Sequence, residues 1–189
     1  MSKTRVLLLF GGQSAEHEIS VLSARSVNTA IDTSRYEVIL AGISRLGQWF
    51  LDEGQRSLLE QDEITNGRGV PVQLGAGQRN LMTLDGVRAA NGTFDVVFPL
   101  LHGPRGEDGC LQGLLELADT AYVGAGVAAS AVGMDKELSR AVFAHAGLRQ
   151  TDYLVVRRSA WNADRAGVRT QIEDALRYPL FVKPVNLGS

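Results

Sequence analysis

Four short stretches of the chain hold residue types at spacings that could do chemistry. The first is GGQSAEHEIS, residues 11–20, where an apolar strand runs into Gly11-Gly12 and then into a helix start. A glycine pair lets backbone approach a ligand closely, and a helix N-terminus favours anions. The spacing is not G-x-G-x-x-G, so the dinucleotide fingerprint is absent. Glu16 stands where a phosphate would have to sit, and a carboxylate there suits a cationic group such as an amino acid's ammonium. The plainer alternative is that Glu16 and Glu18 only complement the helix dipole. The second stretch is LHGPRGEDGCLQG, residues 101–113, after the carboxyl end of another apolar strand. Open α/β sheets place their ligands at that end. His102 could hold a carboxylate or move a proton near neutral pH, and Glu107 could orient it. Otherwise this is a polar loop with Asp108 capping the helix that follows.

The other two stretches are marked by lysine. Only Lys3, Lys136 and Lys183 are lysines among 19 basic residues, and the rest are arginine. Lysine is a compact point charge and arginine a rigid fork, so the two are not interchangeable at a crowded phosphate. MDKELSR, residues 134–140, puts Lys136 in the first turn of a helix, where it opposes the dipole unless an anion is near. YPLFVKPVNLGS, residues 178–189, puts Lys183 at the close of an apolar strand, ahead of Gly188-Ser189. A lysine beside a glycine loop suits a nucleotide phosphate, although the spacing is not that of a P-loop.

Elements must hold these groups in place. Arg5–Phe10 reads as a buried parallel strand, and Ser14 as the N-cap of a helix reaching about Ile31. Tyr36–Ile43 is a second strand, with Gln48–Leu51 pairing across the Leu46-Gly47 turn. Residues 52–92 read as loops, a short helix near Arg56–Gln61 and a small hairpin, in the manner of an insertion. Phe94–Leu101 is a third buried strand, Cys110–Ala118 a helix and Ala121–Val123 a fourth strand. Beyond Gly124 the pattern predicts a helix over Asp135–Ala146 with Gly147 as its cap, a strand at Tyr153–Arg157, a helix over 164–177 and a strand at Leu180–Lys183. The expected fold class is α/β: a Rossmann-like domain with a mainly parallel sheet over 1–124, then part of a second, α+β domain over 125–189.

Composition narrows the classes. The formal net charge of −2 argues against a nucleic-acid surface. With 44% hydrophobic and 21% charged residues the chain suits a folded core rather than disorder. The single cysteine, Cys110, excludes an intrachain disulfide and any cysteine-based metal site. The apolar run Val6–Phe10 is too short for a secretory segment, and no run approaches a membrane span, so a cytoplasmic setting is expected.

Taken in order, the four stretches resemble the D-alanine–D-alanine ligase family of the ATP-grasp superfamily. GGQSAEHEIS is similar to its GG-x-S-x-E-H-x-x-S signature and HGPRGEDGCLQG to its H-G-x-x-G-E-D-G-x-x-Q-G loop; MDK and FVKPVNLGS are similar to its two lysine motifs. The resemblance implies a pre-ATP-grasp domain followed by the start of an ATP-grasp central domain. It implies joining of two D-alanines with ATP and Mg2+ (or Mn2+), through an acyl phosphate, for peptidoglycan precursors. Glu16 would hold the first D-alanine's ammonium with Ile19 against its methyl group. His102 would lie by the carboxyl end, steadied by Glu107. Lys136 and Lys183 would bind ATP phosphates, and Ser189, matching the first serine of a G-S-S motif, would hydrogen-bond toward Glu16. Thus Glu16, Ser189 and His102 are the expected catalytic residues. Metal ligands are expected in a C-terminal domain outside these residues, and the 189-residue chain alone is expected to be inactive. A homodimer through the N-terminal domain is a further implication. D-lactate or D-serine as second substrate, or a non-catalytic fragment binding D-alanine and ATP, are the alternatives.

Overall fold

The computed structural model describes residues 2–54, 57–65, 67–75, 77 and 79–187. The chain divides into two compact units, Met1–Ala131 and Val132–Ser189.

The first unit is built on one seven-stranded sheet. In chain order its elements are β1 (Thr4–Gly11), α1 (His17–Ala30), β2 (Tyr36–Ile43), β3 (Trp49–Leu51), a 3-10 turn at Ser57–Glu60, β4 (Val70–Leu74), β5 (Asn80–Thr83), β6 (Arg88–Thr93), β7 (Val96–Pro99) and α2 (Cys110–Leu117). The spatial order is β6-β5-β4-β3-β2-β1-β7. β1 pairs in parallel with β2, from Thr4 opposite Tyr36 to Gly11 opposite Ile43, and with β7, from Val6 opposite Val96 to Leu9 opposite Pro99. Alternation along β1 feeds two cores. Leu7 and Leu9 join Val97, Leu111 and Leu115 on the α2 face; Val6, Leu8 and Phe10 join Val21 and Ala24 of α1. Every second side chain of a strand points to the same face, so a continuous apolar run serves a sheet covered on both sides.

The α/β class holds, but the sheet is mixed rather than mainly parallel. Every pairing from β2 outward to β6 is antiparallel. The cause is the 52–92 segment, which extends the sheet as a meander instead of standing apart as an insertion. Short connections such as Asp85-Gly86, with Gly86 at φ 84°, permit only antiparallel returns. The strand expected at Ala121–Val123 is reduced to a single parallel bridge, Val97 to Tyr122.

α3 (Val127–Met134), α4 (Lys136–His145), α5 (Arg158–Ala163) and α6 (Arg165–Ala175) follow. Asp135 caps α4, its Oδ1 accepting from the backbone N–H of Glu137 and Leu138 at 2.9 Å each. The helix closes on Gly147 at φ 71°, with Gly147 N–H donating to Ala144 and Leu148 N–H to Phe143. This paired closure leaves few carbonyls unmet at the helix end. Neither α3 nor α5 was expected from the sequence. The strands expected at Tyr153–Arg157 and Leu180–Lys183 are extended backbone without a ladder. A strand is stabilised by a paired neighbour, and none of the described residues of 132–189 forms one. Phe181 and Val182 are accordingly 90% and 97% exposed.

Among the described residues of the second unit only Met134 and Val168 are buried apolar side chains. Local opening is cheapest where little apolar surface is covered. Hydrogen exchange of the chain is therefore expected to divide along the two units. Amides of β1 and β2 will be the slowest, and those of α4 and α6 will exchange in the fast range. Equal protection in both units would refute this.

Candidate active site

The site begins with backbone. Gly11 and Gly12 lie at φ 89° and 96°, turning the chain out of β1. Ser20, fully buried on α1, reaches back to fix that turn: its Oγ accepts from Gly11 N–H at 2.8 Å and donates to the Leu100 carbonyl at 2.6 Å. One hydroxyl thus ties the ends of β1 and β7 together. His17 does the same in another direction. Its Nδ1–H donates to the Gly12 carbonyl at 2.7 Å, and its Nε2 accepts from Ile64 N–H at 3.0 Å. Arg25 adds bonds to the carbonyls of Leu59 and Gln61 at 2.6 and 2.7 Å, so residues 59–64 are strapped to α1.

Ser14 is not the N-cap of α1. Its Oγ accepts from Glu16 N–H at 3.0 Å, and Glu16 itself is the capping position, with no side-chain cap bond. The two-residue reach of Ser14 makes a local turn, which delays the helix to His17. The Glu16 carboxylate is thereby free of the helix end and exposed. It lies beside Gly103: a Cβ built on that glycine would stand 2.8 Å from Glu16 Oε2. Glu18 turns elsewhere, to Arg45, which bonds it and holds its carboxyl below the ordinary carboxylate range.

The second loop folds on itself. Gly103 N–H donates to Glu107 Oε2 at 2.6 Å, while Glu107 N–H donates to the Gly103 carbonyl at 3.0 Å. Gln112 on α2 supports the loop from below, donating to the Gly106 carbonyl at 3.0 Å. Glu107 therefore shapes the turn and makes no bond to His102; its carboxylate accepts from the backbone N–H four residues back. The partner of His102 is Ser23 of α1, with Oγ 3.0 Å from Nε2. Glu16, Ile19 and Ser23 follow the i, i+3, i+7 spacing of one helix face; Glu16 lies beside Gly103, Ser23 bonds His102, and Ile19 between them is exposed. A cavity of about 290 Å³ is lined by Gly12, Gln13, Trp49, Leu101, His102 and Leu111 among others; His102 borders it, and Glu16, Ile19 and Ser23 do not.

Cys110 also borders this cavity and is exposed. Its thiol is raised above the ordinary range by a hydrogen bond to Asp108, then by burial and by that carboxylate's charge. Burial alone would raise Asp108 as well, but the backbone N–H groups of Arg105 and Cys110 outweigh it and hold its carboxyl low. Asp108 thus makes the turn before α2, whose cap position is Gly109. A thiol beside a carboxylate carries less thiolate at a given pH. Iodoacetamide at about pH 8 is expected to modify Cys110 slowly, and Asp108→Asn to speed the reaction several-fold. An unchanged rate would show that the carboxylate does not govern the thiol.

In the second unit, Lys136 opens α4 and its N–H donates to the Val185 carbonyl at 3.1 Å. With its amide turned so that nitrogen faces Asp135, Asn186 donates to Asp135 Oδ2 at 3.1 Å. These bonds bring the segment that carries Lys183 to the start of α4. Lys183 itself is exposed. Ser189 lies outside the described residues. Among the described residues, no cluster of three or more His, Cys, Asp or Glu could hold a metal ion, and no helix is long and apolar enough to cross a membrane.

Three contributors escaped the sequence reading. His17, Ser20 and Ser23 all sit on α1, and each spends its side chain on another element. The signal for the first two is their place within GGQSAEHEIS, one and two turns of chain past the glycine pair.

Loops gathered at the carboxyl ends of parallel strands, with helices on both faces, define an α/β domain that lacks the dinucleotide type of glycine turn. The chain belongs to the D-alanine–D-alanine ligase family: residues 5–125 match the family described as D-ala D-ala ligase N-terminus, and residues 142–189 match D-ala D-ala ligase C-terminus. It is 46% identical over 195 residues to a D-alanine–D-alanine ligase of Paenarthrobacter aurescens (strain TC1), covering 99% of this chain and 51% of that one. A D-alanine–D-alanine ligase of Streptomyces coelicolor is 47% identical over 201 residues, covering 98% and 51%. Among solved structures, the D-alanine-D-alanine ligase from Coxiella burnetii superposes with a TM-score of 0.83 at 35% identity, covering 100% of this chain and 53% of its own. A D-Ala:D-Ser ligase from Enterococcus faecalis gives 0.80 at 33%, covering 100% and 54%. The chain spans about half the length of the curated relatives it matches.

Proposed function

We propose that this chain is the D-alanine-binding part of an ATP-dependent D-alanine–D-alanine ligase, working in the cytoplasm on peptidoglycan precursors. The observation that carries this reading is Glu16 beside Gly103 and Ser23 bonded to His102, with Ile19 exposed between them on the same helix face. A carboxylate, an aliphatic side chain and an imidazole in that order suit an ammonium, a methyl group and a carboxylate. Glu16 holds the ammonium, Ile19 packs on the methyl group, and His102 faces the carboxyl end. Lys136 and Lys183, brought to one end of α4, suit the phosphates of ATP, where they neutralise charge as the terminal phosphoryl group moves. Mg2+ or Mn2+ supplies charge stabilisation in such a transfer, but the described residues offer no ligand cluster for it, so no step is derived through the metal. A homodimer through the first unit is part of the family reading.

The test is titration of the chain with D-alanine and L-alanine, followed by amide shifts. D-alanine is expected to move the signals of Glu16, Ile19 and Gly103, and L-alanine to leave them in place; no selective shift would overturn the reading. The likeness to a D-Ala:D-Ser ligase favours D-serine as the second reading for the residue joined to D-alanine. In a full-length protein that carries these residues, ADP release with D-alanine alone, compared with D-serine or D-lactate added, separates these.

A further inference from the structure

We propose that Ser23 is a positioning residue that sets the orientation of His102 for the D-alanine carboxylate; the second half of this role rests on the functional reading above. The Ser23 hydroxyl lies 2.9 Å from the Ile19 carbonyl and 3.0 Å from His102 Nε2. A hydroxyl has one proton and two lone pairs. The carbonyl can only accept, so it takes the Ser23 proton, and Oγ offers a lone pair to the imidazole. His102 must then donate from Nε2. The two ring nitrogens point in divergent directions, so anchoring Nε2 on α1 aims Nδ1 away from the helix. Among the described residues Nδ1 has no hydrogen-bond partner. It is the nitrogen that meets a ligand. Because Nε2 carries a proton in both the neutral tautomer described and the imidazolium, this anchor persists in either charge state of the ring.

Ser23 differs from its neighbours on α1 in this respect. Ser26 and Thr29 make the same bond one turn back, to the carbonyls of Leu22 and Arg25 at 3.1 and 2.9 Å. That local bond is the usual resting place of a hydroxyl inside a helix. Of these three, only Ser23 adds an acceptor role to another element, toward a residue 79 positions away. Ser26→Ala therefore removes the common feature and leaves the special one intact.

The experiment uses the chain with 15N-labelled histidine, whose three histidines are His17, His102 and His145. Spectra are taken at about pH 8.5, above the ordinary imidazole range. In the unmodified chain His102 is expected to show a slowly exchanging Nε2–H and a pyridine-type Nδ1. In Ser23→Ala the Nε2–H signal is expected to vanish into exchange with water, to return in Ser23→Thr, and to persist in Ser26→Ala. D-alanine affinity is expected to fall about 2- to 10-fold in Ser23→Ala only, the scale of one neutral hydrogen bond. Unchanged His102 signals in Ser23→Ala would overturn the proposal. Altered signals with D-alanine affinity unchanged would uphold the anchoring of His102 by Ser23 and overturn its use on D-alanine. Altered signals with no D-alanine binding even in the unmodified chain would overturn the functional reading while leaving the anchor standing.

Discussion

Replacing Gly11 with alanine is expected to cost roughly 3–5 kcal/mol of unfolding free energy, a large share of the ~5–15 kcal/mol that holds a domain. Two terms add. A side chain at φ 89° sits in the left-handed region, at about 1–2 kcal/mol. The new Cβ would also stand 2.3 Å from the Ile43 carbonyl oxygen, 3.1 Å from His17 Cε1 and 3.2 Å from Ile64 Cγ1. The carbonyl cannot step aside, because it accepts from Gly12 N–H at 2.8 Å where β1 and β2 end together. Gly86→Ala supplies the comparison: its φ is 84°, but nothing lies within 4 Å of the added Cβ. Urea unfolding of both variants separates the terms. The Gly86 variant is expected to lose only the conformational part. Equal losses would mean that the contact with Ile43 is harmless.

Glu16→Gln is expected to weaken D-alanine binding about 10- to 100-fold, the scale of a hydrogen bond to a charged group. The side chain keeps its shape and loses its charge, so an ammonium loses its counterion while the fold is undisturbed; the carboxylate is exposed and caps nothing. Gly103→Ala approaches the same group from the opposite side. Its Cβ would lie 2.8 Å from Glu16 Oε2 at a backbone φ of 74°, displacing the carboxylate without neutralising it. Calorimetry with D-alanine is expected to show weaker binding in both variants. Undiminished binding in Glu16→Gln would remove Glu16 from the substrate site.

Much of the fold was legible in the sequence. The run Tyr36–Ile43 is β2 to the residue, because a short, largely apolar stretch with β-branched Val38, Ile39 and Ile43 suits a buried strand. Asp135 and Gly147 bracket α4 because a carboxylate cap and a left-handed glycine are local devices. Long-range pairing is different. Nothing in Val70–Leu74 says that it will join β3 rather than form a separate hairpin, and this is why the sheet's mixed character escaped. α3, VAASAVGM, carries neither a cap nor a polar stripe to reveal its period. In the candidate site, Glu16 and His102 stood out because their types and glycine surroundings are unusual. Ser23 was not, since a serine in mid-helix looks like any exposed polar residue. Glu107 misled for the opposite reason. Its nearness to His102 in sequence suggested a pair, but the tight turn at Gly103 spends the carboxylate on backbone.

The Ser20 hydroxyl, which joins the outgoing ends of β1 and β7, bears on the entropy of binding. A molecule that settles on Gly11–Gly12 and residues 101–103 meets backbone that has already given up its freedom. It surrenders its own motion and little of the protein's, so even a small amino acid can be held by few contacts. The lysines stand on the other kind of ground. Lys136 and Lys183 ride on a unit with two buried apolar side chains among its described residues, and any anion they grip must also order the frame around them. On the function proposed above, the amino-acid end of the chain is set in advance, and the phosphate end is shaped by what it binds.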